Sequence, residues 1–128
     1  MNANFKIALA VAVGAALGAA AMQGLHAQAK PKAYHVVELE VLDATADASL
    51  LPLTLAAVKA AGGRNLATTD GRTIGVFGEP PKRVAINEFD SLEQAPAFFN
   101  SAARKNLAPQ AAKAIKVIRP YLVEGAAN

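Results

Sequence analysis

The chain has 128 residues, thirteen basic and ten acidic side chains for a formal net charge of +3, and neither cysteine nor tryptophan. That length holds one domain at most, because a single core commonly takes on the order of 100–150 residues. Lack of cysteine excludes disulfides and lipid attachment at a lipoprotein cysteine, and dispersed bases with no tryptophan for stacking exclude a nucleic-acid interface.

Met1 to Lys6 is a short start with one positive side chain, and Ile7 to Ala21 is an unbroken run of Ala, Val, Leu, Ile and Gly. Small-residue sites follow at Leu25-His26-Ala27 and Ala27-Gln28-Ala29. This pattern predicts a secretory signal peptide over 1–27, cleaved after Ala27 or Ala29. A retained membrane anchor is the alternative, although the apolar run falls short of the roughly twenty residues that span a bilayer. Export predicts a periplasmic or secreted protein that meets a membrane only through an uncleaved signal segment. An exported domain this small without disulfides must rely on its core or on a partner subunit, which points toward a dimer.

Residues 28–32 read as a linker, 33–125 as the folded domain and 126–128 as a tail. Ala33 to Leu42 alternates in the β manner, placing His35, Val37, Leu39 and Val41 on one face and Tyr34, Val36, Glu38 and Glu40 on the other. The first set reads as buried, His35 excepted because it stands at the strand's start. Asp43, Thr45 and Asp47 offer N-caps for a helix ending near Ala61, with Leu51, Leu55 and Val58 as its core stripe. Pro52 predicts either a kink or a helix that begins there. Gly62-Gly63 ends that helix.

Arg64 to Thr69 is a weaker strand, Asp70-Gly71 a tight-turn signal, and Thr73 to Phe77 a short strand or loop. Pro80-Pro81 cannot lie in a central strand, so the third strand runs from Lys82 to Phe89. Ser91-Leu92-Glu93-Gln94 has the capping-box form. With Pro96 and Ala108-Pro109 as punctuation, two short helices are expected near 92–105 and 108–115, carrying Ala95, Phe98 and Phe99 inward. Val117 to Glu124 closes the domain as a strand. The order β-α-β-β-α-β predicts an α+β ferredoxin-like plait, a four-stranded antiparallel sheet with helices on one face. Its uncovered face must meet water, a ligand or a second subunit.

Ala33-Tyr34, Glu38-Leu39-Glu40-Val41, Asp43 and Gly62-Gly63-Arg64 carry a family resemblance. It continues through Gly78-Glu79-Pro80-Pro81-Lys82-Arg83-Val84, Glu88-Phe89-Asp90-Ser91-Leu92-Glu93-Gln94-Ala95 and Leu122-Val123-Glu124-Gly125. In these pieces the chain resembles the family of unknown function numbered 1330, a branch of the dimeric α/β-barrel proteins. The resemblance implies the plait and a homodimer, and brings no settled activity. The chain departs from it at Thr68-Thr69-Asp70-Gly71, where the family has Arg-Gly-Gly. It departs again at Phe98-Phe99 in place of Trp-Tyr, and at Ser101-Ala102-Ala103-Arg104 in place of Ser-Pro-Glu-Tyr. The first helix also lacks the family's tyrosines.

Candidate ligand-binding residues are His35, Glu38, Arg83, Asn87, Tyr34 and Tyr121. His35 serves as general base or metal ligand, or makes one ordinary hydrogen bond; a single histidine without cysteine is a poor metal set, and no metal site is expected. Glu38 and Glu40 lie about 7 Å apart along one strand face, as a paired carboxylate site or as salt-bridged surface groups with Arg83 and Arg119 as partners. Asn87 interrupts an apolar strand, either to donate to a bound carbonyl or to face outward. Tyr34 and Tyr121 line the uncovered face or pack an interface. No catalytic triad, nucleophile elbow or phosphate-cradling loop is present, and no cofactor is expected.

The resulting expectation is an exported homodimer whose two sheets face each other, a small-ligand-binding or structural module using the uncovered face. The fold likeness implies an alternative: a cofactor-free monooxygenase-like or haem-interacting enzyme with His35, Asn87, Tyr34 and Arg83 as its residues. A structural partner of another envelope protein is the third reading.

Overall fold

The computed structural model describes residues 30–69 and 72–126. The expected signal segment and the Asp70-Gly71 turn lie outside the described residues. Among the described residues no helix is long and apolar enough to cross a membrane.

Strand β1 (Ala33–Val41) leads into helix α1 (Ala44–Ala60). Asp43 caps that helix, its carboxylate accepting from the backbone of Thr45 and Ala46 at 2.9 Å each. The helix therefore starts well before Pro52, which lies inside it. Its buried residues are Asp47, Leu50, Ala57 and Val58, so of the Leu51–Leu55–Val58 stripe expected only Val58 is fully buried and Leu51 and Leu55 are half-buried. Gly62 adopts φ 80°, and the amides of Gly62 and Gly63 bond back to Lys59 and Val58 at 3.0 and 2.9 Å. This double closure lets the chain reverse directly into β2 (Arg64–Thr68). Gly63 also lies on the ring of Phe89, where a Cβ would stand 2.5 Å from Cε1.

Residues 72–82 carry no strand, so Thr73–Phe77 is loop before β3 (Arg83–Phe89). The helical stretch that follows breaks at a different place from the one expected. Residues 92–95 form a turn, then α2 (Pro96–Asn100) and α3 (Ala102–Ala114) follow, with Pro109 inside α3. Ser101 makes the break: its hydroxyl donates to the Phe98 carbonyl at 2.7 Å and accepts from the Arg104 amide at 3.1 Å. One side chain thereby closes α2 and opens α3. Strand β4 (Ile115–Glu124) starts without a linker.

The sheet order is β2-β3-β1-β4, with every neighbour antiparallel. This is the ferredoxin-like α+β plait. Its core joins Ala33, Ala57, Val58, Phe89, Ala95 and Phe98, with Phe99, Leu107 and Leu122 packed against them.

Candidate functional site

Strand phase decides which side chains can share a site. Phe89 is 1% exposed and sits opposite Ala33, which is fully buried. Side chains alternate along a strand, so Asn87 and Arg83 follow Phe89 under the helices, opposite His35 and Leu39. Arg83 is thus on the face opposite Glu38 and Glu40, against the pairing expected, and of the two readings of Asn87 the outward-facing one does not hold. The uncovered face carries Tyr34, Val36, Glu38 and Glu40 of β1, with Val84, Ile86 and Glu88 of β3 and Arg119, Tyr121 and Val123 of β4 opposite or beside them.

The charge pairing changes accordingly. Arg119 bonds Glu38 through Nη2 at 2.7 Å and Nε at 3.2 Å. Glu40, however, pairs with Lys82 at 2.5 Å, and that bond holds its carboxyl below the usual value. Arg83 is the partner of neither glutamate. Its Nη1 donates to Asp47 Oδ2 at 2.5 Å beneath the helix layer, where Asp47 is 7% exposed. Glu38 and Glu40 border a groove of about 290 Å³ with Pro80, Pro81 and Ile118, but both carboxylates are already matched by cations.

A polar array from three strands runs inward from the exposed edge strand β2 to the buried His35. Thr68 Oγ1 donates to Asn65 Oδ1 at 3.3 Å, and Asn65 Nδ2 donates to Asn87 Oδ1 at 2.9 Å. Asn65 Nδ2 also reaches the carbonyls of Ala67 and Ile86, pinned where β2 shifts register against β3. With its oxygen turned to Asn65, Asn87 presents Nδ2 to His35 Nδ1 at 3.5 Å. Each link donates toward the histidine, which leaves the imidazole proton on Nε2.

His35 itself is 6% exposed, not the open strand-end residue expected. Phe99 meets its ring edge-on at 4.8 Å, and Phe98 lies at 6.0 Å. Burial, and then the charge of Arg104, push its pKa from 6.5 down to about 4, so the ring is neutral at neutral pH.

His35 and Asn87 line a cavity of about 100 Å³ between the sheet and the helices, walled by Val37, Leu50, Phe98 and Leu107. Thr54 of α1 and Arg104 of α3 are the other polar residues on that wall. His35 also borders a shallow depression with Phe99 and Tyr121 outside β4. The structure thus brings together His35 and Asn87, adds Asn65, Thr54 and Arg104, and leaves Glu38 and Tyr34 on the opposite face. Asn65 becomes legible only once the phase of β3 is known, because then it faces Asn87.

A family model described as a domain of unknown function (DUF1330) matches residues 32–126. The chain belongs to the DUF1330 family. Among solved structures, this DUF1330 chain is similar to a protein of unknown function from Rhodopseudomonas palustris, a structural genomics target. The two are 12% identical over 76% of this chain and 84% of that one, with a TM-score of 0.62. The methylated form of the same protein gives 13% identity, 82% and 88% coverage, and a TM-score of 0.58. These likenesses show the fold. A dimeric protein of unknown function and ferredoxin-like fold from Bacteroides fragilis is 12% identical over 73% of this chain and 95% of that one. Its TM-score of 0.46 is too low to bear on assembly. No curated protein matches the chain.

The DUF1330 cavity has a definite chemical bias. Among the described residues no carboxylate lines it, and His35 there is a weak base at neutral pH. Among the described residues no group of three or more His, Asp or Glu side chains is placed to hold a metal ion. The described side chains offer fixed hydrogen bonds in a largely apolar enclosure.

Proposed function

We propose that this DUF1330 protein is an exported homodimer that binds a small molecule in the cavity between its sheet and its helices. One observation carries the binding reading: the Thr68–Asn65–Asn87–His35 chain ends in a cavity whose wall is mostly apolar. Burying His35 and Asn87, and anchoring them to Asn65 and Thr68 at the sheet's edge, is an extravagant way to support a core, since an apolar core of equal volume needs no such matching. A ligand would give the last donor its partner. Export is supported by the signal-like pattern over residues 1–27.

The dimer is supported by the uncovered face. Val36, Val84 and Ile86 form its centre with Tyr34, Tyr121 and Val123, and ion pairs of Glu38, Glu40 and Glu88 surround them. An apolar centre inside a polar rim is the usual anatomy of a protein interface.

Both parts are testable on the processed chain. Light scattering at micromolar concentration should give twice the subunit mass, and Ile86→Lys should halve it with the helical circular dichroism intact. A parent that scatters as a monomer removes the facing-sheet reading. For the cavity, a panel of fragments screened by ligand-observed NMR should yield binders that Ala111→Leu, which fills the cavity, no longer holds. Binders untouched by that substitution would place the site elsewhere.

A further inference from the structure

The wall of the cavity says which chemical class it takes. Resting on the binding reading above, we infer that the ligand is a small monocarboxylate, its carboxylate at the Arg104–His35 end and its apolar body against Leu50, Phe98 and Leu107. The polar atoms on offer are donors. Asn87 is engaged on both sides, by Asn65 and by His35. The direction of the chain leaves His35 with Nε2–H, and a guanidinium has N–H groups only. Thr54 adds a hydroxyl that serves either way. A wall of donors selects a ligand made of acceptors.

Charge narrows the class further. Arg104 lines the cavity and has no carboxylate partner among the described residues. The cations beside the sheet's glutamates, by contrast, are matched: Arg64 to Glu88, Lys82 to Glu40, Arg119 to Glu38. His35 is neutral at working pH, so the cavity carries a single positive charge. One cation in an apolar enclosure favours a monoanion and rejects an ammonium group. A neutral amide is disfavoured for a different reason, because its NH₂ would face donors.

Size sets the last limit. The cavity holds about 100 Å³, whereas a dry cavity of roughly 150 Å³ accommodates benzene. The ligand is therefore of about six heavy atoms or fewer unless the helices give way.

Butyrate, butyramide and 1-aminobutane share size and shape and differ only in the head group, so they isolate the claim. Titrated into the dimeric protein by calorimetry and by nitrogen-15 NMR of the His35 ring, butyrate should bind at least tenfold tighter than butyramide. It should also shift the Nε2–H signal, and 1-aminobutane should not bind. Arg104→Gln should bring butyrate down to the level of butyramide and leave butyramide unchanged. Equal binding of butyrate and butyramide, or butyrate binding indifferent to Arg104→Gln, overturns the carboxylate assignment. If neutral fragments bind and are displaced by Ala111→Leu while butyrate does not bind, the cavity is a site of another class. If nothing binds there, the cavity reading falls with it.

Discussion

Arg83→Met is expected to destabilise the protein by about 3–5 kcal/mol, far more than loss of any ion pair on the uncovered face. The residue it orphans is the reason. Asp47 is 7% exposed in the first turns of α1, and the Arg83 guanidinium lies 2.5 Å from its carboxylate. A buried carboxylate stripped of its cation keeps the desolvation cost and loses the compensation. Replacing both partners by apolar groups removes both terms, so Arg83→Met with Asp47→Leu should recover most of the loss. The Glu38–Arg119 and Glu40–Lys82 pairs have exposed cations screened by water and salt, so their loss should cost far less. Urea unfolding of the two singles and the double checks this. A single Arg83→Met loss below about 1 kcal/mol would mean that water reaches the pair.

Acid should expose the second large effect. His35 in the folded chain has a pKa of about 4 against an ordinary 6.5, so the native state resists a proton that the unfolded chain accepts. Above about pH 6.5 the ring is neutral in both states and contributes no slope. As pH falls from 6.5 to about 4 only the unfolded chain binds the extra proton, and stability drops steadily across that window. The loss accumulates to less than about 3.5 kcal/mol, since each tenfold difference in proton affinity between the two states is worth about 1.4 kcal/mol and residual solvent screening reduces it, and below about 4 this group adds nothing more. Arg104 from α3 is the charged group that opposes protonation, and Phe98 and Phe99 supply the apolar contact. Glu40, Asp90 and Glu93 are also held below their usual values and lose their stabilisation as pH falls further. Comparison with His35→Gln isolates the histidine: between pH 7 and about 4.5 the parent should lose stability faster than the variant. Parallel curves would show that the ring is not held neutral by the fold.

The first expectation rests on Arg83, which the sequence pairs with glutamates of the other face, and the second on His35, which the sequence puts on the correct face but leaves open at the strand's start. The order of elements is legible because Ala33 to Val41 alternates cleanly, Asp43 caps, and Gly62-Gly63 stops a helix. Strand β3 alternates too, but against intuition. Val84 and Ile86 look like its core face and Arg83 and Asn87 like its solvent face, whereas Phe89 fixes the opposite phase. A strand that buries a salt bridge and an amide network under its helices reverses the usual reading of polarity. Ser101 and Pro109 mislead in a similar way. The proline looks like the stronger break, but the serine satisfies backbone groups on both sides of itself and the proline lies within a continuous helix. Of the candidate site, His35 and Asn87 stand out in the sequence as polar residues in apolar strands. Arg104 shows only as a departure from the family pattern, because a helix-borne arginine reads as solvated until its helix is placed over the cavity.

The imidazole of His35 tests most directly a pocket built around one fixed donor. Long-range proton–nitrogen NMR spectra at neutral pH, with His26 replaced to remove its signals, report which ring nitrogen carries the proton. A hydrogen-bond chain running from Thr68 to Nδ1 predicts a protonated Nε2, a bare Nδ1, and a ring that stays neutral down to about pH 5. A proton on Nδ1 would contradict it, because Asn87 would then face the ring with its oxygen and Nε2 would offer the cavity an acceptor; titration near 6.5 would contradict the burial that keeps the ring neutral.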